Sequence, residues 1–329
     1  MDGTVARTPT FTDVLAAAAR IAPHAHATPM LRSHTLDALA GCALHFKAEH
    51  LQRAGAFKFR GACNAVWALP DDIAAHGVVT HSSGNHGAAL ALAARTRGIT
   101  CHVVVPEGAV AAKLAAIEAY GATLHACAPT MAAREVAAAQ LQRDTGATLV
   151  HPYTDPQVIV GQGTAALELL KACETLDALV VPVGGGGLAS GCALTLAATA
   201  PHCRLFLAEP AGAAETAASL ARGERMTEFV PDTVCDGLRG TLGAPNFALL
   251  QAHGAQALVV DDADTVAAMR LLWTHTKQLV EPSSAIALAA VLRHRERFAG
   301  QRVGIVLSGG NVDLDAMPAL FEIGRRAPA

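Results

Sequence analysis

The side chain best suited to covalent chemistry in this chain is Lys58. It is one of five lysines, with Lys47, Lys113, Lys171 and Lys277. Lys113, Lys171 and Lys277 fall within amphipathic helical patterns, which places them on solvated helix faces. Lys47 lies near a strand end, in the run Leu44 to Glu49. Lys58 differs. Phe57 and Phe59 flank it, Gly55 and Gly61 bracket it, and an apolar helical run follows to Trp67. An apolar setting at a helix start disfavours the ammonium ion and lowers the lysine pKa, as a Schiff-base nucleophile requires. The plainer alternative is a lysine whose stem covers apolar surface at a helix start.

A second feature is Gly184-Gly185-Gly186-Gly187, after the apolar run Ala178 to Val183 and before a small-residue helical run from Leu188 to Ala200. Strand, glycine turn and helix make a phosphate cradle. Glycine removes blocking side chains, and free N–H groups at a helix start attract the anion. Gly184-x-Gly186-x-x-Ala189, with Glu209 ending a strand-like run, fits the dinucleotide fingerprint. A pyridoxal phosphate cup is the second reading, and it demands a lysine. A glycine-rich turn with no ligand is the third.

Three further segments bear on the choice. Ser82-Ser83-Gly84-Asn85-His86-Gly87 follows the strand Val78 to Thr80 and opens a helix, a setting suited to a carboxylate. Ser308-Gly309-Gly310-Asn311 follows the buried run Val303 to Leu307, and Glu281-Pro282-Ser283-Ser284 opens another helix. In order and spacing, Gly55–Ala62, His81–Gly87, Val181–Leu188, Glu281-Pro282 and Leu307–Leu314 resemble the fold type II pyridoxal phosphate enzymes. Within them the resemblance is to the serine racemase and serine/threonine dehydratase branch, and it spans nearly the whole chain. The dinucleotide reading explains the glycine run but neither Lys58 nor the serine turns.

The resemblance implies a tryptophan-synthase-β-like α/β fold, two doubly wound domains with the cofactor in the cleft. It implies pyridoxal 5'-phosphate bound covalently to Lys58, with Phe57 beside the ring, Asn85 on the ring 3'-oxygen, Glu281 near the cofactor and Ser308 at the ring nitrogen. Gly184, Gly185, Gly186, Gly187 and Leu188 would form the phosphate cup. The substrate carboxylate would meet Ser82, Ser83, Asn85 and His86, with Arg134 reaching in from the small domain. Ser83 takes the family position across the ring from Lys58, where its hydroxyl either delivers a proton to the other face or only binds the carboxylate. A hydroxyl at Ser308 cannot hold a proton on the ring nitrogen as a carboxylate would, which suits β-elimination. The implied reaction dehydrates and deaminates L-threonine or L-serine, through an aminoacrylate, to a 2-keto acid and ammonia. Serine racemisation with dehydratase side activity, and 3-hydroxyaspartate ammonia-lyase activity, are the alternatives. Gly240 stands where mammalian-type racemases carry serine, and Arg239 beside it could attract a second carboxylate. Glu209 and Glu215, with the Ala213 carbonyl, match the divalent-cation site of the racemase branch. Glu215 stands where many relatives have aspartate; oxygen donors suit Mg²⁺, Mn²⁺ or Ca²⁺.

The elements that must position these groups alternate along the chain. Apolar runs at 78–80, 101–105, 123–127, 148–150, 178–183, 204–208, 257–260 and 303–307 read as buried parallel strands. Alanine-rich helices separate them, as at 85–97, 111–120, 130–143 and 158–173, in a doubly wound α/β pattern. A chain of 329 residues accommodates two domains. The resemblance puts a small mobile domain at 72–145 and the large cofactor domain at 1–71 and 146–329. A net charge of −3 without a basic stripe argues against a nucleic-acid partner. No apolar stretch reads as a membrane span, and the N-terminal Met-Asp-Gly-Thr lacks a signal-peptide core. Eight cysteines without a Cys-x-x-Cys pair read as reduced thiols of a cytoplasmic protein. The expected partners are a small amino-acid substrate and a second copy in a homodimer. The chain ends soon after Asn311, so the regulatory domain of biosynthetic threonine dehydratases is not expected.

Overall fold

The structure, a computed structural model, describes residues 7–109, 111–173 and 175–324; the N-terminal Met-Asp-Gly-Thr lies outside them. The strands are β1 (Met30–Leu31), β2 (Ala43–Lys47), β3 (Val78–Thr80), β4 (Cys101–Pro106) and β5 (Thr123–Cys127). They continue with β6 (Thr148–Leu149), β7 (Ala178–Pro182), β8 (Arg204–Pro210), β9 (Gln256–Val260) and β10 (Arg302–Val306). Among the described residues they form two sheets, ordered β1-β2-β10-β7-β8-β9 and β5-β4-β3-β6. All neighbours are parallel except the short edge pair β1 and β2. Every expected strand is present, its ends shifted by two residues at most.

Both faces of the larger sheet are covered, which is why its strands read as nearly continuous apolar runs. Phe46, Val180, Phe206 and Ile305 pack under the helix Pro282–Arg293. On the other face, Val181, Leu207 and Val306 meet the helices Pro156–Ala172 and Gly187–Thr199. In the smaller sheet, Val78, Val103 and Val105 share a core with the helix Asn85–Arg97 and with Phe59, Ala62 and Val66 of the helix Lys58–Ala68. Val79 and Val104 face the helix Met131–Thr145. The smaller sheet therefore draws on residues outside 72–145 on both sides: the Lys58 helix precedes that segment, and β6 follows it.

Three helices set the distance between Lys58 and the glycine run. They are Lys58–Ala68, Pro156–Ala172 and Gly187–Thr199, and they touch backbone to backbone. A Cβ on Gly161 would lie 2.6 Å from the Gly61 Cα, and one on Gly163 would lie 2.6 Å from the Gly191 carbonyl oxygen. Any side chain there would push the nucleophile away from the phosphate cradle.

Beneath the Lys58 helix lies a buried charge cluster. Arg60 donates to Glu49 at 2.7 and 2.8 Å and to Glu168 at 2.7 Å from two nitrogens. Lys47 donates to Glu168 at 2.5 Å and to the Thr28 carbonyl at 2.6 Å. Burial pushes the Glu49 carboxyl up, but the Arg60 guanidinium outweighs it and holds the group below the usual carboxylate range. Removing one partner of such a buried pair costs about 3–5 kcal/mol.

Candidate active site

The carboxyl ends of β3, β6, β7 and β10 open on one cavity of about 630 Å³, where open α/β sheets place their ligands. Lys58 reaches it because its segment is tied to the Ser308 loop. Ala56 bridges to Gly309, the Phe57 N–H donates to the Ser308 carbonyl at 2.9 Å, and Gly310 donates to Gly55 at 2.9 Å. The Lys58 Nζ donates to the Pro152 carbonyl at 2.9 Å and stands 5.2 Å from the centre of the Phe57 ring. Among the described residues no carboxylate lies within ion-pair reach of it. Burial pulls its pKa down to about 8.

The glycine run faces this amine. A Cβ on Gly185 would fall 2.3 Å from the Tyr153 ring, so that position admits only glycine. Gly186 takes φ +90°, in the left-handed region. Asn246 donates to the carbonyls of Gly185 at 2.5 Å and Tyr153 at 2.9 Å. The N–H groups of Gly184, Gly185 and Gly186 have no acceptor among the described residues. The Gly187–Thr199 helix starts without a side-chain cap, and Leu188 is buried in its first turn. Free donors at an uncapped helix start form an anion site. Ser308 is buried on the cavity wall, its hydroxyl only 3.4 Å from the Ser283 carbonyl and so weakly committed. An amine without an ion-pair partner among the described residues, an anion cradle and a weakly bonded hydroxyl fit pyridoxal phosphate, which Lys58, Gly184–Gly187 and Ser308 would hold.

Ser82 and Ser83 line the same cavity, half-buried, before the uncapped Asn85–Arg97 helix. Two neighbours are engaged differently from expectation. The Asn85 amide donates to Glu281 at 3.0 and 3.3 Å and accepts from Asn311 at 2.9 Å, so it bridges the two sheets' units rather than standing free. The His86 ring turns to the Val150 carbonyl at 3.3 Å. Burial, then the Lys58 charge, hold its pKa well below the ordinary value, so it is neutral. Arg134 lines the cavity with a buried Nε that has no partner. Arg239 is half committed: its Nε and one terminal nitrogen donate to the Thr233 carbonyl at 3.1 and 2.5 Å. Buried Glu281 is pushed up to about 7 by burial, then by the Asp236 charge.

Glu209 and Glu215 are adjacent and buried, with Ala213 buried between them in the chain. Glu209 accepts from the Thr216 and Ala217 N–H groups at 2.7 and 2.8 Å, capping the Glu215–Arg222 helix. Glu215 accepts from the Leu242 N–H. Burial raises both carboxyls, Glu209 to about 7; in Glu215 the Leu242 N–H, the Ser219 hydroxyl and the Arg225 charge offset part of the rise.

Lys113 is 41% exposed, in keeping with a solvated helix face, but it also lines the cavity and pairs with Asp236. The amphipathic pattern put Lys113 on the polar face of its helix but carried no sign that this face meets the cavity. Tyr153, His81 and His151 were also missed. The His81 and His151 rings lie 5.0 Å apart, and His151 and Tyr153 4.5 Å apart. Burial, then His81 and Lys58, push His151 down to about 3. Their signal was position, just past the carboxyl ends of β3 and β6.

The profile of the family described as "Pyridoxal-phosphate dependent enzyme" matches residues 21–309, and this chain belongs to that family. It is 46% identical over 310 residues to a beta-hydroxyaspartate dehydratase of Paracoccus denitrificans (strain Pd 1222), covering 94% of this chain and 98% of that protein. It is 45% identical over 318 residues to a serine racemase of Dictyostelium discoideum, covering 95% and 98%. The solved structure of maize serine racemase superposes with a TM-score of 0.92 at 42% identity, covering 96% of this chain and 98% of that one. The fold is therefore the type II fold of this family.

Lys58 must be a free amine to take up an aldehyde. The rate of pyridoxal phosphate uptake by the apoprotein, followed by absorbance, should rise with pH and level off above about 8. A rate still climbing toward the ordinary lysine value of 10.5 would contradict the effect of burial.

Proposed function

We propose that this enzyme removes water from a 3-hydroxy amino acid and releases a 2-keto acid and ammonia, and that 3-hydroxyaspartate is its better substrate. The observation that carries the reaction class is the Lys58 amine, without an ion-pair partner among the described residues, in a cavity whose wall offers a hydroxyl, Ser308, instead of a carboxylate. Pyridoxal phosphate, when bound, supplies the electron sink. The protein supplies the rest. The uncapped turn Ser82–His86 receives the substrate carboxylate. The Lys58 amine, whose pKa burial lowers to about 8, takes the Cα proton. The Cβ–O bond breaks and the hydroxyl leaves as water with one proton. The released enamine tautomerises and takes up water to give the keto acid and ammonia. The dicarboxylate preference is supported by Arg134, whose buried Nε lacks an anion, and by the neighbouring Arg239. The first relative above is named for the same substrate class. The segment 72–145 carries Arg134, and we assign it as the part that moves on binding.

Racemisation is favoured as a side activity by one observation: the Ser83 hydroxyl lines the cavity and has no hydrogen-bond partner among the described residues. One base cannot reach both faces of a planar carbanion. We also assign a divalent cation, Mg²⁺, Mn²⁺ or Ca²⁺, to Glu209, Glu215 and the Ala213 carbonyl. Two neighbouring buried carboxylates, neither in a direct ion pair among the described residues, are the support.

Keto acid and enantiomer should be measured with L-serine, L-threonine and L-threo-3-hydroxyaspartate. The expected kcat/KM is highest for 3-hydroxyaspartate, by about tenfold or more. Ser83→Ala should lose racemisation and keep elimination. No keto acid from any of the three would overturn the reaction class. For the cation, a chelator should lower the melting temperature of the wild type and leave Glu209→Ala unmoved; equal responses would remove the assignment.

A further inference from the structure

The mouth of the cavity is bridged by an ion pair that the reaction above does not use. Lys113, on the helix Ala111–Ala119, donates to Asp236, on the short turn Asp236–Leu238. The two ends belong to different sheets. Ile117 of the Lys113 helix is buried beside the carboxylate-binding turn: a Cβ on Gly87 would lie 3.2 Å from it. The Asp236 turn sits on the phosphate cradle. Gly237 donates to the Ser283 hydroxyl at 3.0 Å, and a Cβ on Gly184 would lie 3.0 Å from the Leu238 Cα. The pair thus spans the cleft between the two ligand-holding turns.

Charge at this mouth is unbalanced. Lys58, Lys113, Arg134 and Arg239 line the cavity against two carboxyl groups, Asp236 and Glu281. Glu281 is buried and already accepts from Asn85. Asp236 is the one exposed anion. Both members of its pair are 41% exposed, so water screens the bond and exchange of one carboxylate for another costs little.

We propose that Lys113 is a specificity-determining residue: the distal carboxylate of a dicarboxylic substrate displaces Asp236 from it. A monocarboxylic amino acid leaves the pair in place. The inference rests on the dicarboxylate reading above, but malonate, an unreactive dicarboxylate, tests it without turnover.

The experiment uses the holoenzyme of the wild type, Lys113→Met and Asp236→Asn. It measures kcat/KM on L-threo-3-hydroxyaspartate and on L-serine, and the Kd of malonate. Lys113→Met should lower the ratio of the two kcat/KM values about 10- to 100-fold and weaken malonate similarly. Lys113→Arg should restore most of both. Asp236→Asn removes the competitor and should tighten malonate about 2- to 5-fold. Equal malonate affinity in Lys113→Met and wild type would overturn the proposal. So would a weakening in Asp236→Asn. If the wild type ignores 3-hydroxyaspartate while malonate responds as expected, the substrate reading fails and the exchange at Lys113 stands.

Discussion

The structure depends on keeping one amine without a counter-ion. Lys58 has a carbonyl for company and, among the described residues, no carboxylate within ion-pair reach, so burial alone sets its pKa near 8. An acid beside it would restore the ammonium ion and end its use as a nucleophile. Two acids beneath this helix are taken by another cation. Arg60, next but one in the chain, holds Glu49 and Glu168 with paired bonds, and Lys47 shares Glu168. One helix start thus presents two cations with opposite fates. Arg60 is fully neutralised beneath the helix, and Lys58 is left open in the cavity.

The cradle for the phosphate must then lie at a fixed reach from that amine. Glycine contacts between three helices do this. They let the Lys58 helix, the Pro156–Ala172 helix and the helix after the cradle approach to backbone distance. The Ser308 loop is tied to the Lys58 segment by main-chain bonds, which need no particular side chain. Polar contacts across the cleft, among the described residues, include Asn85 with Glu281 and Asn311, and Lys113 with Asp236. The part of the site around Lys58 and the glycine run is therefore built from packed backbone, and the bonds across the cleft are made by side chains.

This division explains what the sequence revealed. The strands were legible because burial on both faces leaves uninterrupted apolar runs. The cradle, the serine turn and Lys58 were legible because each demands a residue type at a fixed offset from a strand or helix end. Contacts across the cleft left no local trace. Nothing near Asn85 announces Glu281, and nothing in the alanine-rich helix announces that Lys113 pairs with Asp236. His151 and Tyr153 follow β6, a strand of two residues, Thr148–Leu149, too short for its end to stand out as a site. The edges of the segment 72–145 were set by family likeness. The actual core of the smaller sheet crosses them, because the Lys58 helix packs against both units.

The account stands on Lys58 as the residue that carries the cofactor. Borohydride treatment of the holoenzyme, followed by peptide mapping, tests this most directly. The account predicts one reduced pyridoxyl adduct, on the peptide containing Lys58, and none in Lys58→Ala. An adduct on Lys47, Lys113, Lys171 or Lys277 in the wild-type enzyme would contradict it.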